Sequence, residues 1–281
     1  MCTKYYNKID LHSNTNTNTN IRQHTRRPIV TGTSVLGLKY NGGVMVASDT
    51  LLSYGSMAKT QDASRITVIN QQQHGSSNNN CGNTILAASG EYSDFQAIEK
   101  LLNQKASQEA SSLMDDLYAD GETQRSNAES TWNYLRMVMY QRRNKMNPYW
   151  NDVIVAGRGS NNSKDGSATV FLGLVDKIGT TYTDNYIATG FGSYLALPIL
   201  REHWRSDLTE GEARALLEDC LKVLFFRDCR ASSKIQLAKY SVADNTAMVS
   251  EPYQLDNIAT GDWDAPSFVS PVAELEGDGG W

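Results

Sequence analysis

Side chains able to act as bases, nucleophiles or ligands are scattered thinly along this sequence. His12, His24, His74 and His203 lie far apart, and none has a serine or cysteine beside it that would make an imidazole useful as a base. The four cysteines, Cys2, Cys81, Cys220 and Cys229, include no close pair at metal-ligand spacing. That pattern fits free thiols in a reducing compartment, so no metal site is expected. The paired carboxylates Asp115-Asp116 are expected in a solvated loop. Gly157-Arg158-Gly159 would suit a phosphate loop only if a helix opened behind it; a polar stretch follows instead, so it is read as a hairpin-like turn.

Composition narrows the classes further. A net charge of −5 argues against a nucleic-acid partner, because phosphate binding needs a concentrated basic face. Arg26-Arg27 and Arg142-Arg143 are the densest basic pairs, too short for such a face. No apolar run is long enough to span a bilayer, and the N-terminus has no apolar core of a secretory signal. The expectation is a protein of the cytoplasm and nucleus with no membrane partner. With 40% hydrophobic residues in 281, the chain can bury a substantial core.

The elements that would position any site begin near Pro28. Before it, residues 13–20 alternate Asn and Thr behind a serine, bury nothing apolar and are expected to be disordered. Residues 33–40 and 44–49 are β-branched and apolar, separated by Asn41-Gly42-Gly43, which predicts a hairpin. Residues 65–70 and 84–88 predict a second, joined by a polar insertion. Ser93-Asp94-Phe95-Gln96 reads as a capping box opening a helix with Ile98, Leu101 and Leu102 on one face. Leu135, Val138 and Met139 mark a helix over 127–145, ending before Asn147-Pro148. Strands follow at 152–156 and 169–175, then helices at 194–204 and behind the box Thr209-Glu210-Gly211-Glu212. A strand at 234–242 is expected to close the set. This order predicts an α+β domain with helices outside stacked sheets.

Several of these segments together resemble proteasome β subunits. The residues are Pro28-Ile29-Val30-Thr31-Gly32-Thr33, Gly42-Gly43-Val44-Met45-Val46-Ala47-Ser48-Asp49, the run 139–148 and Ala188-Thr189-Gly190-Phe191-Gly192. The resemblance runs from about Pro28 to Val249 and is closest to the non-catalytic members. It implies a four-layer αββα sandwich of the N-terminal-nucleophile hydrolase class and a place in a stack of four seven-membered rings. It also implies partners: β subunits of the same and the opposite ring, α-ring subunits, and assembly chaperones. No cofactor is implied.

In active members of that family a threonine freed at its N-terminus attacks the peptide carbonyl, and its own α-amine is the base. Thr33, after Gly32, stands at that position; Asp49 and Asp228 match two aspartates near the nucleophile. The rest of the set departs from the pattern. Arg65 stands where active members keep a lysine, and a wide, always charged guanidinium does not replace a compact ammonium. Phe191 takes the place of a serine between Gly190 and Gly192. Ala231 replaces a serine after Asp228, with Ser232 next door. The site is therefore expected to be degenerate, Thr33 an ordinary strand residue, and Arg65 a partner of Asp49. The alternative is an active threonine peptidase cleaved between Gly32 and Thr33; a free-standing amidase of the same class is a more distant one.

The resemblance also implies trimming ahead of the first strand, near residues 24/25, leaving Thr25 at the mature N-terminus. The chain then divides into an extension over 1–32, a β-type domain over 33–249 and an arm over 250–281. Trp263, Phe268 and Trp281 lie in that arm among Asp, Gly and Pro and are the expected anchors on partner subunits.

Overall fold

A computed structural model describes residues 27–69, 83–115, 127–159 and 170–255. The strands are β1 Val30–Gly32, β2 Val35–Tyr40, β3 Gly43–Asp49, β4 Leu52–Tyr54, β5 Met57–Thr60, β6 Ile66–Ile69, β7 Thr84–Glu91, β8 Asn151–Arg158, β9 Val170–Val175, β10 Thr181–Thr183, β11 Tyr186–Ala188, β12 Lys234–Ser241, β13 Thr246–Val249 and β14 Tyr253–Gln254. The helices are α1 Tyr92–Asp115, α2 Ala128–Asn144, α3 Gly192–His203 and α4 Glu210–Arg227.

Two antiparallel sheets result. One runs β10-β9-β8-β7-β1-β4-β5 with β6 also on β7; the other runs β11-β2-β3-β12-β13 with β14 also on β12. Strand periodicity explains how they stack, since alternate residues face opposite sides. In β3, Val44 and Val46 enter the core between the sheets, where they meet Ile66, Ile85, Ile154 and Leu172. Met45 and Ala47 point the other way, into a second core with Ala196 and Leu200 of α3 and Leu217 and Leu221 of α4. A third core packs Ile98 and Leu102 of α1 and Leu135 and Met139 of α2 on Val153 and Val155 of β8. The layers are thus helix pair, sheet, sheet, helix pair, the αββα arrangement expected.

Both predicted hairpins form, β2 with β3 and β6 with β7. The box at Thr209 is complete: Glu212 N donates to Thr209 Oγ1 at 3.4 Å, and Thr209 N donates to Glu212 Oε2 at 2.9 Å. Asn127 caps α2 by accepting from Ser130 N at 2.7 Å.

Four expectations are corrected. Ser93 is not a cap: α1 already begins at Tyr92, and the Ser93 hydroxyl donates to Glu91 Oε1 at 3.0 Å instead of accepting from the first turn. Asp115 is the last residue of α1 rather than part of a loop, while Asp116 lies outside the described residues. Residues 234–241 do not close the fold, because β13 and β14 both pair with β12. The short strands β1, β4, β5, β10 and β11 were not anticipated, as three or four residues cannot display a period. Residues 250–255, read with the arm, include β14 and the buried Leu255, which joins the core beneath α3 and α4. Trp263, Phe268 and Trp281 lie outside the described residues, as does Thr25.

Candidate functional site

Thr33, 7% exposed, is not the strand residue expected, since it lies between β2, which starts at Val35, and β1, which ends at Gly32. Strand β1 is held on both sides: Val30 and Thr31 face Tyr54 and Ser53 of β4, and Thr31 and Gly32 face Glu91 and Gly90 of β7. Until the bond between Gly32 and Thr33 is cleaved, the nitrogen of Thr33 is a peptide amide just past the end of a paired strand. An amide cannot take a proton near neutrality as a free α-amine can.

Arg65, just ahead of β6, is 1% exposed and lies against Thr33. Its Nε donates to the Asp49 carbonyl at 3.1 Å, Nη1 to the Thr33 carbonyl at 3.3 Å, and Nη2 to the Ser34 carbonyl at 3.1 Å. Nη2 also pairs with Asp49 Oδ1. The fork is therefore spent on fixing the backbone around Thr33, as a planar guanidinium does well and an ammonium cannot. Gly32 makes room for it. A Cβ on Gly32 would lie 2.3 Å from Arg65 Cδ and 2.8 Å from its Nε.

Asp49, at the end of β3, is likewise buried, with Oδ2 accepting from Ser232 N at 3.1 Å. Burial pushes its carboxyl above the ordinary range; the Arg65 guanidinium and the N–H groups of Ser232 and Leu51 oppose that, and Asp228 adds to it. Asp228 caps the C-terminus of α4, and its Oδ1 accepts from Arg230 N at 3.0 Å. Among the described residues its buried Oδ2 has no hydrogen-bond partner. Ala231 N donates to the Asp228 carbonyl at 3.1 Å, closing the turn after α4. Ser232 does not stand in for the missing serine, because its hydroxyl accepts from Lys234 N at 3.2 Å and so serves the start of β12.

The turn before α3 approaches Thr33 through its backbone. Gly190 has φ +59°, and a Cβ there would lie 3.3 Å from the Thr33 carbonyl oxygen. Thr189 Oγ1 accepts from Val35 N at 3.0 Å, and Ser34 Oγ accepts from Gly192 N at 2.8 Å. Phe191 is 48% exposed and contributes no polar group.

The structure thus brings Thr33, Asp49, Arg65 and the Gly190 turn together, with Asp228 and Ala231 at the margin. Sequence reasoning missed Glu91 and Asn151. Glu91 is buried at the end of β7, and its carboxylate accepts from Ile29 N and from Val30 N, the latter at 3.1 Å. Asn151 Nδ2 donates to the carbonyls of Ser89 and Glu91 at 3.0 and 2.8 Å. The only available signal was an acid ending an otherwise apolar strand. Of the described cysteines, Cys229 is exposed, and burial pushes the Cys220 thiol up to about 12.

Comparison with known proteins adds the family. The proteasome subunit family model matches residues 29–240. Proteasome subunit beta type-4 of Xenopus laevis is 39% identical over 250 residues, covering 88% of this chain and 90% of the relative. Its namesake in Dictyostelium discoideum is 41% identical over 238 residues, covering 84% and 81%. Proteasome subunit beta type-7 of Saccharomyces cerevisiae is 38% identical over 220 residues, covering 76% and 75%. With the αββα layers and the position of Thr33, these matches show that the chain belongs to the proteasome subunit family.

Proposed function

We propose that this chain is a non-catalytic structural β subunit of the 20S proteasome core, working in ring assembly and so in ubiquitin-dependent protein degradation by the whole particle. The observation that carries the reading is the Arg65 fork. It ties the Thr33 and Ser34 carbonyls to Asp49 and occupies the space above Gly32. A nucleophilic threonine needs a free amine beside its hydroxyl, which requires cleavage between Gly32 and Thr33, and β1 is paired with β4 and β7 up to that bond. General-base and positioning contributions are each worth roughly 10²–10⁴ in rate, so losing several together leaves little catalysis.

In this reading the chain is trimmed ahead of β1, near Thr25, and sits among β subunits of its own and the opposite ring, α-ring subunits and, during assembly, chaperones. Its C-terminal arm, with Trp263, Phe268 and Trp281, reaches the opposite ring. Its compartments are cytoplasm and nucleus, which fractionation of a tagged chain would check. The deciding experiment is the mature N-terminus in purified core particles. Mass spectrometry is expected to find a start near Thr25; a start at Thr33, with labelling by a peptide boronate, would overturn the reading in favour of an active peptidase.

A further inference from the structure

We propose that the Glu91 carboxylate is the stop for N-terminal trimming, an inference that rests on the trimming reading above. Ladder pairing of β1 covers Val30 to Gly32. Glu91 extends the hold one residue further: its Oε2 accepts from Ile29 N and, at 3.1 Å, from Val30 N, and its Oε1 lies 3.4 Å from Val30 N. The carboxylate is itself fixed. Ser93 Oγ donates to Oε1 at 3.0 Å, Glu91 N donates to the Trp150 carbonyl at 3.0 Å, and Asn151 Nδ2 donates to the Glu91 carbonyl at 2.8 Å. Glu91 is 4% exposed and Asn151 1%, so water competes little for these bonds.

Ile29 shows why the carboxylate matters. Its side chain is 55% exposed, open to a peptidase, yet its N–H is bound. A peptidase takes several residues around the scissile bond in extended form, with their backbone groups free to pair with its own cleft. Residues 29–32 are already paired, so that hydrolysis, in which water leaves a carboxylate on one fragment and a new α-amine on the other, is confined to bonds ahead of them. Charge-assisted bonds from two consecutive amides make this a stronger brake than neutral bonds would.

The test uses assembled core particles carrying Glu91→Ala or Glu91→Gln. Expected results are a wild-type start near Thr25 and ragged starts reaching residue 29 or beyond in Glu91→Ala, with Glu91→Gln between them because its amide oxygen still accepts. Hydrogen exchange in peptides covering residues 27–32 should quicken at least about tenfold in Glu91→Ala. If Glu91→Ala fails to incorporate, the same two measurements on Glu91→Gln decide. Variants that start where wild type starts, or exchange that does not change, would overturn the stop alone. A wild-type start at Met1 or Thr33 would overturn the trimming reading and the stop with it.

Discussion

Removing Arg65 without removing Asp49 should be far more damaging than removing both. In Arg65→Met the Asp49 carboxylate stays buried without its cation, and the carbonyls of Thr33 and Ser34 each lose a donor. Breaking a buried pair from one side costs about 3–5 kcal/mol. A domain holds only about 5–15 kcal/mol in total, so the variant stands near the edge of folding. Asp49→Leu strands the guanidinium in the same way. The double variant Arg65→Met/Asp49→Leu fills the site with apolar groups of similar size and should recover at least about 2 kcal/mol relative to the sum of the singles. Urea unfolding of all four proteins, followed by tryptophan fluorescence, gives the coupling from one cycle. A cycle additive within about 0.5 kcal/mol would refute the reasoning, since it would mean the two charges do not depend on one another.

Three further outcomes follow from the same geometry. Gly32→Ala puts a methyl 2.3 Å from Arg65 Cδ and should cost about 1–3 kcal/mol in a urea midpoint; an unchanged midpoint would show the contact to be loose. Burial and the adjacent Asp176 carboxyl push Asp152 up to about 6, so the folded state holds its proton more tightly than the unfolded chain. That contribution is whole below about pH 4 and lost as pH rises through 6; Asp152→Asn should narrow the gap in stability between pH 5 and pH 8 by about 1.4 kcal/mol, and an identical pH profile would count against it. Ending the chain after Leu255 should slow the pairing of half-proteasomes on native gels with the subunit still folded. Ending it after Pro252 should also loosen the sheet, because β14 and Leu255 are lost.

Much of the fold could be read because the large elements carry strong local signals. Asn41-Gly42 announced the β2–β3 hairpin, and Thr209 with Glu212 announced α4. Ser93 misled because a hydroxyl three residues before Gln96 has the right spacing for a cap whether or not it is one; the nearby Glu91 carboxylate took it. β1 was invisible, since three residues have no period and its partners lie 22 and about 60 residues away in β4 and β7. At the site, the pairing of Arg65 with Asp49 followed from opposite charges at two positions that the family resemblance placed together. The Glu91 clamp did not, because its partners are main-chain amides, and every residue carries one.

The insertion of β1 between β4 and β7 also has a consequence for competition. Two strand edges a single strand apart make a slot that any extended peptide could enter. Here the occupant is covalently attached to Thr33, so its local concentration is of millimolar order or more and does not fall on dilution. A free peptide, even one of matching sequence, would have to outbid a tethered rival that is always present. In the uncleaved chain this slot is saturated by its own β1.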